Sequence, residues 1–310
     1  MKISVVVPLY NKARQIFRAL RSVLNQSHQE FEIIVVNDGS SDGSEEIVKN
    51  INDSRIRLIN QDNSGVSSAR NTGIKLAESD FIALLDADDE WLVEHLSNIC
   101  KVIESYPNAA LYATSYFYTD PNGCISIPKF RMKIPKNWSG ILNSDSYLEN
   151  SLGAPIFNSS SVCLNRPYLQ KIGLFNEEIT SGEDLDLWLR ISLACPIAYT
   201  NNQTAIYYKD LTIHRSAPDI IRSNNVGLSL LSGILHDYKK VNVKRKNIFE
   251  YYCKRVISIG RESLYQGDTR FALICLRKSF FTMHNRLDWL KLAYSFLQNY
   301  LSHQAINRGV

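Results

Sequence analysis

The chain has 310 residues, of which 45% are hydrophobic and 21% charged, and a formal net charge of +4; this suits a globular protein and excludes a disordered or fibrous one. No apolar run approaches the roughly 20 residues that a membrane-spanning helix requires, and the opening MKISVVVPLY is too short, and too soon interrupted by Pro8, for a secretion signal. A cytoplasmic protein is therefore expected, in which the six scattered cysteines, without Cys-x-x-Cys or Cys/His spacing, read as free thiols.

The first hundred residues alternate short apolar strands with amphipathic segments of helix length. Ile3–Pro8 reads as a strand, and Ala13–Gln26 carries Ile16, Ala19, Leu20, Val23 and Leu24 at the spacing of one helical face. Strand Glu32–Asn37, helix Glu45–Ile51, strand Ile56–Asn60, helix Ser67–Ala77 and strand Phe81–Asp86 follow. Such a series predicts an α/β fold with a mostly parallel sheet and helices on both faces. The strands are continuous apolar runs because both of their faces are covered.

Next come a helix at Leu92–Ile103 and strands near Ala109–Tyr118 and Ser160–Leu164, separated by an irregular, Pro- and Gly-containing excursion over Asp120–Asn143. Helices are expected at Pro167–Ile172 and Leu185–Ala194, and strands near Ala198–Thr200 and Ala205–Lys209. Beyond Asp219 the period is helical, over Val226–Leu235, Ile248–Tyr265, Phe271–Met283 and Leu287–Leu301, with a hairpin about Gln266-Gly267-Asp268. Residues 1–216 hold 20 Lys and Arg against 25 Asp and Glu, and residues 217–310 hold 15 against 6. That shift marks a boundary at 216/217 and a basic helical C-terminal region. Its basic clusters, such as Lys239-Lys240 and Lys244-Arg245-Lys246, alternate with aromatic residues. They read either as solvated charges on a packed subdomain or as a surface for peripheral docking on an anionic membrane. No nucleic-acid motif accompanies them.

Ligands of open α/β sheets bind beyond the carboxyl ends of the strands, and two acidic clusters stand there. Asn37-Asp38-Gly39-Ser40-Ser41-Asp42 is either ordinary turn chemistry, with Ser44 capping the next helix, or a loop whose Asp38 receives a base or ribose. Asp86-Ala87-Asp88-Asp89 concentrates mutually repelling carboxylates, which a hard cation such as Mn²⁺ or Mg²⁺ would relieve; alternatively Asp89 caps the following helix. A third cluster, Gly182-Glu183-Asp184-Leu185-Asp186-Leu187, opens a helix that presents Leu185, Trp188 and Leu189 on one face. Its acids either complement the helix dipole or supply, in Asp184, a general base. Arg70 either helps hold a diphosphate or pairs with Asp62 or Glu78.

Taken in order, Ile3–Asn11, the Asn37–Asp42 loop, Ala69-Arg70-Asn71-x-Gly73, Asp86-Ala87-Asp88-Asp89-x-Trp91 and Gly182-Glu183-Asp184-x-Asp186-Leu187 resemble the family-2 glycosyltransferases of the GT-A fold, of the kind that builds bacterial polysaccharides. The resemblance covers residues 1–216. It implies that Asp38 contacts the nucleotide base, that Arg70 lies on the nucleotide side, and that Asp86 and Asp88 form a metal-binding DxD pair for Mn²⁺ or Mg²⁺. It further implies that Asp184 is the catalytic base and, more loosely, that His214 is a further metal ligand. Pro8 and Tyr10 fall at donor-pocket positions.

The implied activity is transfer, with inversion, of a sugar from a nucleotide-sugar donor of UDP type to a hydroxyl of a saccharide or lipid-linked saccharide. The competing reading is a non-catalytic sugar-nucleotide or glycan-binding protein on the same fold, which has no need of Asp86, Asp88 and Asp184 together. A dinucleotide-binding dehydrogenase is disfavoured, because Pro8-Leu9-Tyr10-Asn11 replaces the glycine-rich turn after the first strand.

Overall fold

In the computed structural model the apolar runs become strands β1 (Ile3–Leu9), β2 (Phe31–Asp38), β3 (Ile56–Gln61) and β4 (Phe81–Leu84), with helices α1 (Ile16–Leu24), α2 (Ser44–Lys49) and α3 (Val66–Leu76) between them. The structure describes residues 1–119, 123–131, 133–179, 181–208, 233, 243–265, 268–279, 290–291 and 293–294. The four strands lie in the order β3-β2-β1-β4, all parallel. The chain steps outward from β1 to β3 and then returns to the other side of β1 for β4, which opens a crevice at the carboxyl ends beside β1.

The second half of the sheet mixes directions. β5 (Glu90–Trp91) and α4 (His95–Ser105) lead to β6 (Leu111–Thr119), and the excursion contains β7 (Ile125–Ser126) and β8 (Ser139–Leu142). After α5 (Ser144–Asn150) and a single 3-10 turn at Ser159–Ser161 come β9 (Val162–Asn165), α6 (Arg166–Ile172), α7 (Glu183–Ala194) and β10 (Ile197–Tyr208). β9 runs antiparallel between β4 and β6, while β10 is parallel to β6 and antiparallel to β5 and β8.

Several expectations need adjustment here. The predicted strands near 198–200 and 205–209 are one strand, interrupted by register shifts between Thr200 and Ala205. The helix expected from Leu92 begins only at His95, because Glu90 and Trp91 are drawn into the sheet against Ile206 and Ala205. On α7 Trp188 and Leu189 are buried as expected, together with Leu187 and Ile191, but Leu185 is only half-buried. The helices expected at Val226–Leu235 and Leu287–Leu301 fall largely outside the described residues, as does His214.

One face of the sheet packs α1 and α4 through Ile16, Ala19, Leu20, Val23, Leu96 and Ile99 onto Val5, Val7, Val35 and Ala83. On β1 the alternate residue Val6 meets α3 instead, and the approach there is very close: a Cβ at Gly73 would stand 2.3 Å from Val6 Cγ1.

The chain divides into two compact units, Met1–Glu177 with Gly182–Ile213, and Glu178–Ser181 with His214–Val310. Within the second, helices Arg245–Tyr265 and Thr269–Lys278 pack through Ile257, Leu264, Ala272 and Leu276, and Asp268 caps the latter by accepting the Phe271 N–H at 3.0 Å. This is the hairpin that the helical periods predict. No described helix is long and apolar enough to cross a membrane.

Replacing Gly73 with alanine gains at most about 1 kcal/mol of helix propensity, whereas overpacking a filled site loses about 1–3 kcal/mol. Gly73→Ala is therefore expected to lower the urea midpoint, and adding Val6→Ala, which removes the obstructing methyls, is expected to recover part of the loss.

Candidate functional site

The carboxyl edge of β1, β2 and β4 gathers the sequence motifs. Pro8 is buried within β1 opposite Val36, and Tyr10, just past the strand end, is 50% exposed. Asn11 takes φ of 50°, a left-handed conformation that asparagine tolerates better than most residues. It ties the first loop to the second: its N–H donates to Ser40 Oγ at 3.1 Å and its Oδ1 accepts the Ser41 N–H at 2.8 Å. Asp42 joins the same knot by accepting N–H groups from Ala13 (2.9 Å) and Ser44 (3.0 Å) and the Ser44 hydroxyl. Burial opposes the charge of Asp42, yet these bonds hold its carboxyl below the usual range. Ser44 is thus the first residue of α2 rather than its cap, the N-cap position being Gly43 with φ of 86°.

Asp38 is buried at the end of β2. Oδ1 accepts from the Gln61 amide at 2.8 Å and the Ser64 N–H at 2.9 Å, and Oδ2 accepts the Gly65 N–H at 2.9 Å. Three bonds on a carboxylate with about four acceptor positions leave one on Oδ2. Asp38 thereby shapes the loop that leads into α3.

Arg70 on α3 is 3% exposed and pairs with neither Asp62 nor Glu78. One terminal nitrogen donates to Asp86 Oδ1 at 2.8 Å and the other to Glu183 Oε1 at 2.8 Å. Burial works against its charge, but Asp86, Glu183 and, further off, Asp184 together hold its pKa above the ordinary value. The ion pairs draw the end of β4 and the start of α7 to one place. Asn71, next on α3, reinforces the junction by exchanging hydrogen bonds with the Phe175 backbone and by donating to Glu177. Of the two acids that open α7, Glu183 is turned inward onto Arg70, while Asp184 is half-buried and accepts the Leu185 N–H at 2.7 Å.

The three aspartates after β4 have different surroundings. Asp86 and Asp88 are partly exposed, with Asp88 paired to Lys12 Nζ at 2.6 Å. Asp89 is buried and does not cap a helix: it accepts the Tyr208 N–H at 3.0 Å and the Ser160 hydroxyl. Burial, and then the charges of Asp86 and Asp88, push its pKa well above the ordinary value. Ser160 in turn accepts the Asp86 N–H at 3.1 Å, and its carbonyl accepts the Trp91 indole N–H at 2.6 Å.

Among the described residues no group of three or more His, Cys, Asp or Glu side chains is arranged to hold a metal ion. Asp86 and Asp88 nevertheless offer carboxylate oxygens from two partly exposed side chains at one strand end. That donor set suits Mn²⁺ or Mg²⁺, which takes one or two carboxylates and completes its shell with phosphate and water.

Lys12, Ser160 and the partnership of Arg70 with Glu183 escape a sequence reading. The available signal for Lys12 was its place in the loop after β1, beside an acidic strand end. Nothing local marks Ser160, which lies in a serine-rich turn.

The family model described as Glycosyl transferase family 2 matches residues 4–172. An uncharacterized glycosyltransferase of Rickettsia bellii is 35% identical over 192 residues, covering 62% of this chain and 26% of that protein. Matches to the Rickettsia conorii and Rickettsia felis relatives likewise span 30% of those proteins. The Escherichia coli protein WfaP, named a UDP-Glc:alpha-D-GlcNAc-diphosphoundecaprenol beta-1,3-glucosyltransferase, is 28% identical over 263 residues, covering 82% of this chain and 98% of WfaP. Among solved structures, S. aureus TarS 1–349 superposes with a TM-score of 0.65 at 20% identity, covering 100% of this chain and 92% of that one. Its complex with UDP-GlcNAc gives 0.67 at 18% identity, with the same coverage. The fold is accordingly GT-A.

Removing one partner of a buried ion pair typically loses about 3–5 kcal/mol. Arg70→Met is expected to lose that much stability in chemical denaturation, and Arg70→Met combined with Glu183→Gln to lose clearly less than the sum of the two single changes.

Proposed function

The chain belongs to glycosyl transferase family 2, and on that premise we propose that it moves a sugar from a UDP-sugar to a hydroxyl of a saccharide or lipid-linked saccharide, with inversion at the anomeric carbon. The observation that carries this reading is the double ion pair of Arg70, through which the Asp86 strand end and the Glu183-Asp184 helix start meet. The family match, the UDP-GlcNAc complex of TarS and the diphosphoundecaprenol-linked acceptor in the name of WfaP support it. Residues 1–216 would carry donor binding and chemistry, with 217–310 as a basic helical appendage.

In this scheme Asp38 uses its remaining acceptor position on the base, Tyr10 stacks beside the base, and Pro8 lines the pocket. Arg70, buried and bonded through each terminal nitrogen to a carboxylate, serves the diphosphate side by fixing Asp86. Asp86 and Asp88 would hold Mn²⁺ or Mg²⁺, which when bound supplies positive charge against the departing diphosphate. The expected third ligand, His214, lies outside the described residues.

An acceptor hydroxyl is a weak nucleophile. Asp184 accepts its proton as the oxygen bonds to the anomeric carbon, while the bond from that carbon to the phosphate oxygen breaks and its electron pair leaves with the nucleoside diphosphate. A single displacement of this kind inverts the centre. Contact with an anionic membrane on the cytoplasmic side would suit a lipid-linked acceptor and the basic C-terminal region, although Lys239-Lys240 lie outside the described residues.

The test is a panel of nucleotide sugars with Mn²⁺ or Mg²⁺, reading released nucleoside diphosphate with and without saccharide and diphospholipid-linked saccharide acceptors. A general base contributes about 10²–10⁴ in rate, so Asp184→Asn is expected to lose that much transfer while still binding the donor. Donor binding without transfer by the wild type, for any acceptor, would favour the non-catalytic reading. Full activity in Asp184→Asn would remove Asp184 from its role.

A further inference from the structure

Tyr207 and Tyr208 close β10 at the acidic edge, and the structure treats them differently. Tyr208 is fully engaged: its N–H is bound by Asp89, its hydroxyl donates to Glu90 Oε2 at 2.8 Å, and the Arg18 guanidinium lies 3.6 Å from its ring centre. These contacts, with the pairings Ile206↔Glu90 and Tyr207↔Tyr118, hold the backbone of Tyr207 in place. Tyr207 itself is 40% exposed, and among the described residues its hydroxyl makes no hydrogen bond.

Its surroundings contain acceptors in abundance. Yet Asp86 is bonded to Arg70, Asp88 to Lys12, and Asp89 to Ser160 and Tyr208, so each aspartate has its own partner without this phenol. A phenol keeps its proton throughout the neutral range, so the Tyr207 hydroxyl remains a donor there.

We propose that Tyr207 is a diphosphate-binding residue, its hydroxyl donating a hydrogen bond to the β-phosphate of a bound nucleoside diphosphate. The inference rests on the nucleotide-sugar reading above and follows from a shortage of donors. An anionic diphosphate entering a mouth lined by carboxylates needs N–H or O–H groups, and the Arg70 guanidinium, 3% exposed and bonded through each terminal nitrogen to a carboxylate, is turned away from solvent. A hydroxyl carried on a held backbone, with no hydrogen bond among the described residues, meets that need, and it would do so most strongly as charge gathers on the leaving phosphate. The sequence reading gave Tyr207 no role.

The experiment is calorimetric titration of the full chain, in Mg²⁺ buffer, with UDP, GDP and dTDP and with the matching monophosphates, for wild type, Tyr207→Phe and Tyr207→Leu. A hydrogen bond to a charged group is worth about tenfold or more in affinity, so both variants are expected to bind the preferred diphosphate about tenfold more weakly. Monophosphate affinity and the ligand-free melting temperature should remain those of the wild type. Unchanged diphosphate affinity in Tyr207→Phe, or an equal loss for monophosphate and diphosphate, would overturn the assignment. A wild type that binds none of the three diphosphates would overturn the nucleotide-sugar reading itself, and this assignment with it.

Discussion

A buried guanidinium shared between two carboxylates is the constraint on which the mouth of this protein depends. Arg70 reaches Asp86, 16 residues along the chain, and Glu183, 113 residues along it. Placing a charge where 3% of the residue is exposed is unfavourable unless its partners are well placed, and removing one partner would leave the others uncompensated. The arrangement therefore does more to specify geometry than to add stability. With Glu183 held inward, the Glu183-Asp184 pair is divided: one acid fixes the helix start by pairing with Arg70, and the other is half-buried and accepts the Leu185 N–H.

The same division of labour runs through the acidic edge. Each carboxylate has a particular internal partner, so charges that would otherwise repel are held at close quarters. Lys12 serves Asp88 from the loop after β1, Arg70 serves Asp86 from α3, and Asp89 is relieved by neutral donors, the Ser160 hydroxyl and the Tyr208 backbone. Of the three aspartates after β4, Asp89 is the one with no cation on it among the described residues, and it is also the one whose pKa is driven upward. Its role is that of a buried anchor, which ties β5, β10 and the Ser159–Ser161 turn to the strand that bears Asp86.

How far the sequence reveals this depends on the range of the interaction involved. Continuous apolar runs such as Val5-Val6-Val7 and Ile33–Val36 announce strands covered on both faces, and the helical period of Ile16–Val23 announces α1, because burial at each residue follows local spacing. The parallel half of the sheet was legible for that reason, as was the convergence of Asp38 and Asp86 on one edge. What periodicity does not carry is the identity of long-range partners. Arg70 had acidic candidates nearer in sequence, Asp62 and Glu78, and the partner it takes on α7 is placed by tertiary packing. Two-residue strands such as Glu90–Trp91 have no period to read at all. They are strands because β10 offers them a ladder, and that ladder moves the start of α4 to His95.

The antiparallel half of the sheet explains why the edge is so rich in groups that no single motif predicts. A parallel βαβ series by itself would bring Pro8, Asp38 and Asp86 to the carboxyl ends of neighbouring strands. Inserting β9 antiparallel beside β4 brings its start, and with it Ser160, to the same end. β10, returning parallel to β6, then delivers its last residues there, and with them Tyr208 to Asp89 and Tyr207 beside it. Strand direction alone thus assembles donors from one half of the sheet against carboxylates from the other. A ligand held at that edge would contact segments from β1 to β10, so its affinity reports on the register of the entire sheet rather than on any one loop.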